Sequence, residues 1–326
     1  MLRLATYDGA LRGFDGPRSA VLIGEAVHDL RAAHEALAKA GKVAAEPSLA
    51  CTNSVLCCPE AQALARQVAE RLAAGDVPAG LPKPLPLTGG RLLPPVWPNK
   101  LFALAGNYAE HIMESRDRKT DGRLSAADTT TPRIFMKPPS NSLCGYGEPI
   151  YIPPGAQFVD WEAEVGVVIG RRGRNIPREA ALDYVAGLTI VNDVSERELR
   201  IVERAETREW DRFFDWLNGK WGDHFAPMGP CVVPLADIAD PDRLALKLWV
   251  NDQLQQNGST GQMIFKIPDI IAYLSAICTI EPGDVIATGT PSGVGYAQGT
   301  RLKSGDTVRI ELEGVGTLVN PVEEGP

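Results

Sequence analysis

Glu162 and Glu164 stand two residues apart in the stretch DWEAEVGVVIG. On a strand, that spacing puts both carboxylates on one face. Taken locally, the pair also fits an ordinary solvated strand face, where charged residues usually lie. The residues that follow, Val165 to Ile169, read as a buried apolar run. Carboxylates on a buried strand need a counter-charge, because an unpaired buried charge is very costly. No Lys or Arg follows until Arg171, so the counter-charge expected is a cation from outside the chain. Asp193 ends a second apolar run, TIVND. It either caps a helix beginning near Ser195 or completes a set of three hard oxygen ligands. Such a set favours magnesium, manganese or calcium over zinc.

Other residue types with chemical potential are spread along the chain. His111 and Glu114 in NYAEHIME are three apart, neighbours on one helix face, in a chain with four histidines. They are either a plain surface pair or, facing a metal, an acid–base pair. In the second case Glu114 orients His111, and His111 activates water or moves a substrate proton. Lys137 follows an apolar strand in FMKPPS, and Lys220 sits in NGKWGD. Each is either exposed or placed to bind a carboxylate and stabilise an enolate. The stretch ATGTPSGVG lacks the Gly-Lys-Ser/Thr ending of a phosphate loop and the GxGxxG spacing. It is either a tight turn or a close approach in which backbone N–H groups and the Thr290 hydroxyl meet a substrate carboxylate.

The elements that must position these residues fall into two groups. Leu30–Ala40 and Ala61–Ala73 have helical periodicity. Residues 78–98 then carry seven prolines, which disfavour helix and predict an extended linker. We place a domain boundary there, between a small N-terminal α+β domain (1–95) and the remainder (96–326). The second part predicts strands at Arg133–Met136, Glu162–Ile169, Gly187–Val191, Leu244–Val250, Val285–Thr288, Thr307–Leu312 and Gly316–Val319. Helices are expected at Arg178–Tyr184, in parts of Ser195–Leu217, and at Pro268–Cys278. Asn251-Asp252 has the character of a hairpin tip. Strands do not alternate regularly with helices, so the fold class expected is α+β and β-dominated, with a rolled or sandwiched β core. Residues 114–130 are polar without periodicity and read as a surface loop or a mobile lid.

With 44% hydrophobic residues, a chain of 326 residues buries a core of useful size. A net charge of −8 argues against a nucleic-acid partner. No apolar run reaches the length of a membrane span, and the start of the chain lacks the pattern of a secretory signal, so the cytoplasm is expected. None of the six cysteines forms a CxxC pair, which disfavours a structural zinc site and predicts reduced thiols.

Seven stretches in order resemble the fumarylacetoacetate hydrolase family: NYAEHIME, FMKPPS, DWEAEVGVVIG, DYVAGLTIVNDVSER, NGKWGDHFAPMGP, MIFKIPDIIAYLS and EPGDVIATGTPSGVG. They cover roughly residues 101–322. The resemblance implies a mixed β-sandwich roll and a homodimer acting on a small oxo acid, while charge and hydropathy lead us to expect no nucleic-acid or membrane partner. It implies Glu162, Glu164 and Asp193 as metal ligands, usually for Mg2+, with Mn2+ or Ca2+ tolerated. It implies His111 and Glu114 as a lid dyad, and Lys137, Lys220 and Thr290 as substrate-binding groups. Arg197, in NDVSER, falls on a commonly retained position. The larger eukaryotic-type members use a further Asp upstream of the His, and this chain has none near Leu104. The expected reaction is hydrolysis of a C–C bond in a 2,4-dioxo acid. Its rivals are decarboxylation or tautomerisation of oxaloacetate or a related oxo-diacid (including isomerisation of the 2-hydroxyhepta-2,4-diene-1,7-dioate type), and a catalytically silent oxo-acid-binding protein.

Overall fold

The computed structural model describes residues 1–88, 91–114 and 130–326. Most of the polar segment read as loop or lid, 115–129, lies outside the described residues. Among the described residues a mixed sheet of twelve strands runs through the molecule. Its central strands, in spatial order, are Leu4–Asp8, Ala226–Pro234, Val185–Asn192, Ala163–Ile169, Val285–Ala287, Leu101–Leu104 and Ile134–Lys137. These neighbours are antiparallel except Val285–Ala287 with Leu101–Leu104, which run parallel. A second sheet of five strands is built on Ala245–Val250, Thr307–Leu312 and Gly316–Glu324. The fold is strand-dominated α+β, as the spacing of strand and helix signals implies.

Burial on both faces explains the apolar runs. Val165, Val167, Leu188 and Ile190 of the large sheet pack with Leu246, Leu248, Ile310 and Leu318 of the small one. Val168, Val191 and Val232 turn the other way and meet Leu37, Leu64 and Val68. The last three belong to the helices Leu30–Lys39 and Pro59–Ala73. Successive side chains on a strand alternate between faces, so a strand covered on both sides must be apolar throughout. Each such aliphatic side chain contributes about 1.5–3 kcal/mol relative to exposure.

The N-terminal strands join the large sheet directly, through Leu4 opposite Val232. Two stretches of the proline-rich segment also pair into it, Leu85–Pro86 and Leu92–Leu93. The hairpin tip is as expected: Asn251 and Asp252 both adopt positive φ, 49° and 65°, which a two-residue turn of this kind requires. Within Ser195–Leu217 only Asp211–Asn218 forms an α-helix. Ser195–Glu196 instead pairs with Val159–Asp160 as a short ribbon. The cap role weighed for Asp193 is therefore not realised, because no helix starts there. Arg178–Tyr184 is wound as a 3-10 helix, not an α-helix. No helix among the described residues is long and apolar enough to cross a membrane.

Candidate metal centre and active site

The acidic triad is a product of strand register. Ala163 lies opposite Asn192 in the antiparallel pair, so the residues just beyond them, Glu162 and Asp193, come together. The Asp193 N–H donates to the Glu162 carbonyl at 2.9 Å, and the Glu162 N–H donates to Asn192 Oδ1 at 3.0 Å. Glu164 shares the parity of Glu162. One oxygen from each of Glu162, Glu164 and Asp193 lies within 4.8 Å of the others, and all three residues are buried.

The counter-charge expected from outside the chain is supplied in part by the chain itself. Lys220 Nζ donates to Glu162 Oε2 and to Asp193 Oδ2, both at 2.6 Å. Lys137 Nζ donates to Asp193 Oδ1 at 2.6 Å and to the Val194 carbonyl at 2.8 Å. Arg197 bridges Asp160 Oδ2, at 2.9 Å, and Glu162 Oε1. All three cations are remote from Glu162 in sequence, and only the fold delivers them. Burial alone would raise the Glu162 carboxyl, but Arg197 and Lys220 outweigh it and hold the group below the usual carboxylate range. Burial lowers the Lys137 ammonium to about 8 despite Asp193. For Lys220 the attraction of Asp193 and Glu162 exceeds the burial effect, and its ammonium is raised.

Glu164 is the exception. Its Oε2 accepts one hydrogen bond, from Gly289 N–H at 2.7 Å. Its Oε1 is buried with no partner. Burial, followed by the charges of Asp193 and Glu162, pushes its carboxyl well above the usual range. Four buried carboxyl groups (Asp160, Glu162, Glu164, Asp193) thus face three cations (Lys137, Arg197, Lys220), and Glu164 is the one without an ion-pair partner. An orphaned oxygen on an acidic triad of oxygen donors fits a hard divalent cation.

Of the triad, Glu162 reaches a cavity of about 790 Å³, and Glu164 and Asp193 are not among the residues that line it. Glu162, Arg197, Lys220, Thr290, His111 and Glu114 line it. Lys137 does not; it stands behind the triad with its ammonium bound to Asp193. His111 and Glu114 sit on the short helix Ala109–Glu114. His111 Nδ1 and Glu114 Oε1 are 2.8 Å apart. That bond assigns the proton to Nδ1 and leaves Nε2 free to accept one. Thr290 is buried, and its hydroxyl accepts from Gln256 Nε2 at 2.8 Å.

Three supporting residues escaped the sequence reading. Asp160 anchors Arg197 and also accepts from the N–H groups of Gly295 (2.7 Å) and Tyr296 (3.1 Å). Asn107 donates to the carbonyls of Phe265 and Thr288 and accepts from Phe265 N–H, which roots the His111 helix. Gln256 is fully buried on the strand Gln253–Ser259. Asp160 had a visible signal, an acid beside the Glu pair. A lone Asn or Gln carries none.

The model of the fumarylacetoacetate (FAA) hydrolase C-terminal family matches residues 100–323. An uncharacterized protein of Pyrococcus abyssi is 42% identical over 227 residues, covering 70% of this chain and 91% of its own. The mitochondrial oxaloacetate tautomerase fahd2 of Xenopus laevis is 40% identical over 234 residues, 71% of this chain and 68% of its own. The crystal structure of maleylpyruvate hydrolase from Sphingobium sp. SYK-6, in complex with manganese (II) ion and pyruvate, superposes with a TM-score of 0.70. It is 28% identical and covers 99% of this chain and 100% of the other.

Proposed function

This chain belongs to the fumarylacetoacetate hydrolase family, and from that premise we propose that it is a divalent-metal enzyme, using Mg2+ or Mn2+, that hydrolyses a C–C bond in a 2,4-dioxo acid of the acylpyruvate or fumarylpyruvate type. One observation carries the reading: Glu162 of the buried acidic triad and the His111–Glu114 pair line the same cavity. The similar structure from Sphingobium, which holds manganese and pyruvate, supports a divalent cation and an oxo-acid ligand.

Glu162, Glu164 and Asp193 would hold the cation, and when bound it supplies Lewis-acid polarisation of the 2-oxo group. Lys220, Arg197 and Thr290 orient the substrate carboxylate from the cavity wall. Lys137 holds Asp193 in place from behind. His111 Nε2 takes a proton from water as the water oxygen adds to the 4-carbonyl carbon. The bond between carbons 3 and 4 then breaks, and its electron pair passes to the pyruvate portion. A carboxylic acid and pyruvate result once carbon 3 takes back a proton. Glu114 fixes the imidazole and offsets its positive charge.

The Xenopus relative favours a second reading, tautomerisation of an oxo-diacid such as oxaloacetate. There the same His111 moves a proton between carbon 3 and the 2-oxygen, and no water attacks. The discriminating experiment follows acetylpyruvate enol absorbance and, in parallel, oxaloacetate, with metal-stripped protein before and after Mg2+ or Mn2+. Metal-dependent formation of acetate and pyruvate supports the hydrolase. Change in oxaloacetate alone supports the tautomerase or decarboxylase. Binding of Mn2+ and pyruvate with turnover of neither compound supports a silent binding protein.

A further inference from the structure

The loop after the strand Val285–Ala287 touches both halves of the site. At its start, Gly289 N–H donates to Glu164 Oε2 at 2.7 Å. Four residues on, Gly293 N–H donates to Glu114 Oε2 at 2.8 Å, while the other oxygen of Glu114 serves His111. Ser292 Oγ lies 3.3 Å from Glu110 Oε2 on the same helix as His111. The carbonyl of Gly293 accepts from the Trp161 indole at 3.1 Å. Two N–H groups of one short loop therefore set a triad carboxylate and the dyad carboxylate in register.

Gln256 clamps this loop. Its amide nitrogen donates to Thr290 Oγ1 and to the Pro291 carbonyl, both at 2.8 Å, and its oxygen accepts from Ala163 N–H at 2.9 Å. Ala163 lies between Glu162 and Glu164. All three bonds are in a fully buried setting, where a half-satisfied network is costly. The neighbouring contact is equally tight. Gly293 has φ +104°, and a Cβ there would meet the Gln255 carbonyl oxygen at 2.0 Å.

We propose that Gln256 is a positioning residue: it locks the loop 289–295 against the triad strand, so that the loop aligns the triad with the His111–Glu114 pair. The proposal rests on the metal-enzyme reading above. Its role is indirect, since its side chain bonds to Thr290, Pro291 and Ala163 and not to a reacting atom.

The test uses the full chain, with Mn2+ and pyruvate as probes. Gln256→Met keeps the side-chain length and removes all three bonds. The expected result is a folded protein that binds Mn2+ as the wild type does, binds pyruvate about tenfold more weakly, and exchanges the Gly293 amide hydrogen faster. Unchanged pyruvate affinity and unchanged exchange in a folded Gln256→Met protein overturn the proposal. Should that variant not fold, Gln256→Asn, which keeps the amide but is too short to span Thr290, Pro291 and Ala163, tests the same linkage. It is expected to speed exchange at Gly293 and leave Mn2+ affinity intact, and equal exchange there overturns the linkage. Failure of the wild-type chain itself to bind Mn2+ refutes the metal-centre reading instead, so the two failures are told apart.

Discussion

At the scale of single residues, the site is a charge balance with one member left over. Lys220 stands between Glu162 and Asp193, and all three are buried. Lys220→Met strands both carboxylates with one remaining cation each, and we expect a loss of about 3 kcal/mol in urea unfolding of the metal-free protein. Added Mn2+ should recover part of that loss, because it binds the native state at the same oxygens. No recovery with any divalent cation would speak against the triad as the metal site. Glu164 predicts the opposite pattern. Burial already drives the metal-free Glu164 carboxyl toward its neutral form, and Glu164→Gln puts a neutral amide of the same shape there, so metal-free stability should not fall. Mn2+ affinity measured by electron paramagnetic resonance should drop by more than about a hundredfold, since even outer partners of ligands are worth 10–100-fold. Equal Mn2+ affinity in this variant excludes Glu164 as a ligand.

At the scale of elements, the helix Ala109–Glu114 contributes no buried residue. Its attachment is polar: Glu114 to Gly293, Glu110 to Ser292, and the Asn107 root. His111→Ala should therefore leave the melting temperature within about a degree, because surface changes away from a core rarely exceed ±0.5 kcal/mol. It should lower kcat by roughly 10²–10⁴, the usual worth of a positioned general base. A variant with unchanged kcat removes His111 from the mechanism. Much of this level was legible beforehand. The strand of the Glu pair, the helix ending near Cys278 and the hairpin tip all follow from period and turn chemistry. The exception is 195–217. Its apolar residues lack a continuous face over 195–210, and the backbone of Ser195 and Glu196 found partners in Val159, Asp160 and Gly219 instead.

At the scale of the whole molecule, the N-terminal strands and helices complete the large sheet and cover one of its faces. Removing residues 1–95 uncovers the edge of Ala226–Pro234, nine residues that are all buried, together with Val168, Val191 and Val232. An exposed apolar edge strand pairs with other chains, so the fragment 96–326 is expected to aggregate. A soluble fragment with a single cooperative melt would instead establish the proposed boundary at 95 as that of an independent folding unit. We also propose a homodimer, on the family resemblance. Light scattering that gives a mass near 35.1 kDa at all concentrations refutes it.

The sequence by itself determined the strand-dominated class, the family, and the set of side chains able to do chemistry, because those depend on residue type, spacing and order. It could not show that Glu162 and Asp193 are compensated while Glu164 is not. Each of the three cations arrives from its own segment, by a path set through sheet register and the close approach of Gly219 to Glu196. Nor could it show Gln256 holding the glycine loop, since an amide on a hairpin strand looks the same whether it faces water or spans a buried gap. Electrostatic balance and hydrogen-bond closure depend on distances between segments far apart in the chain, and only the folded backbone sets those distances.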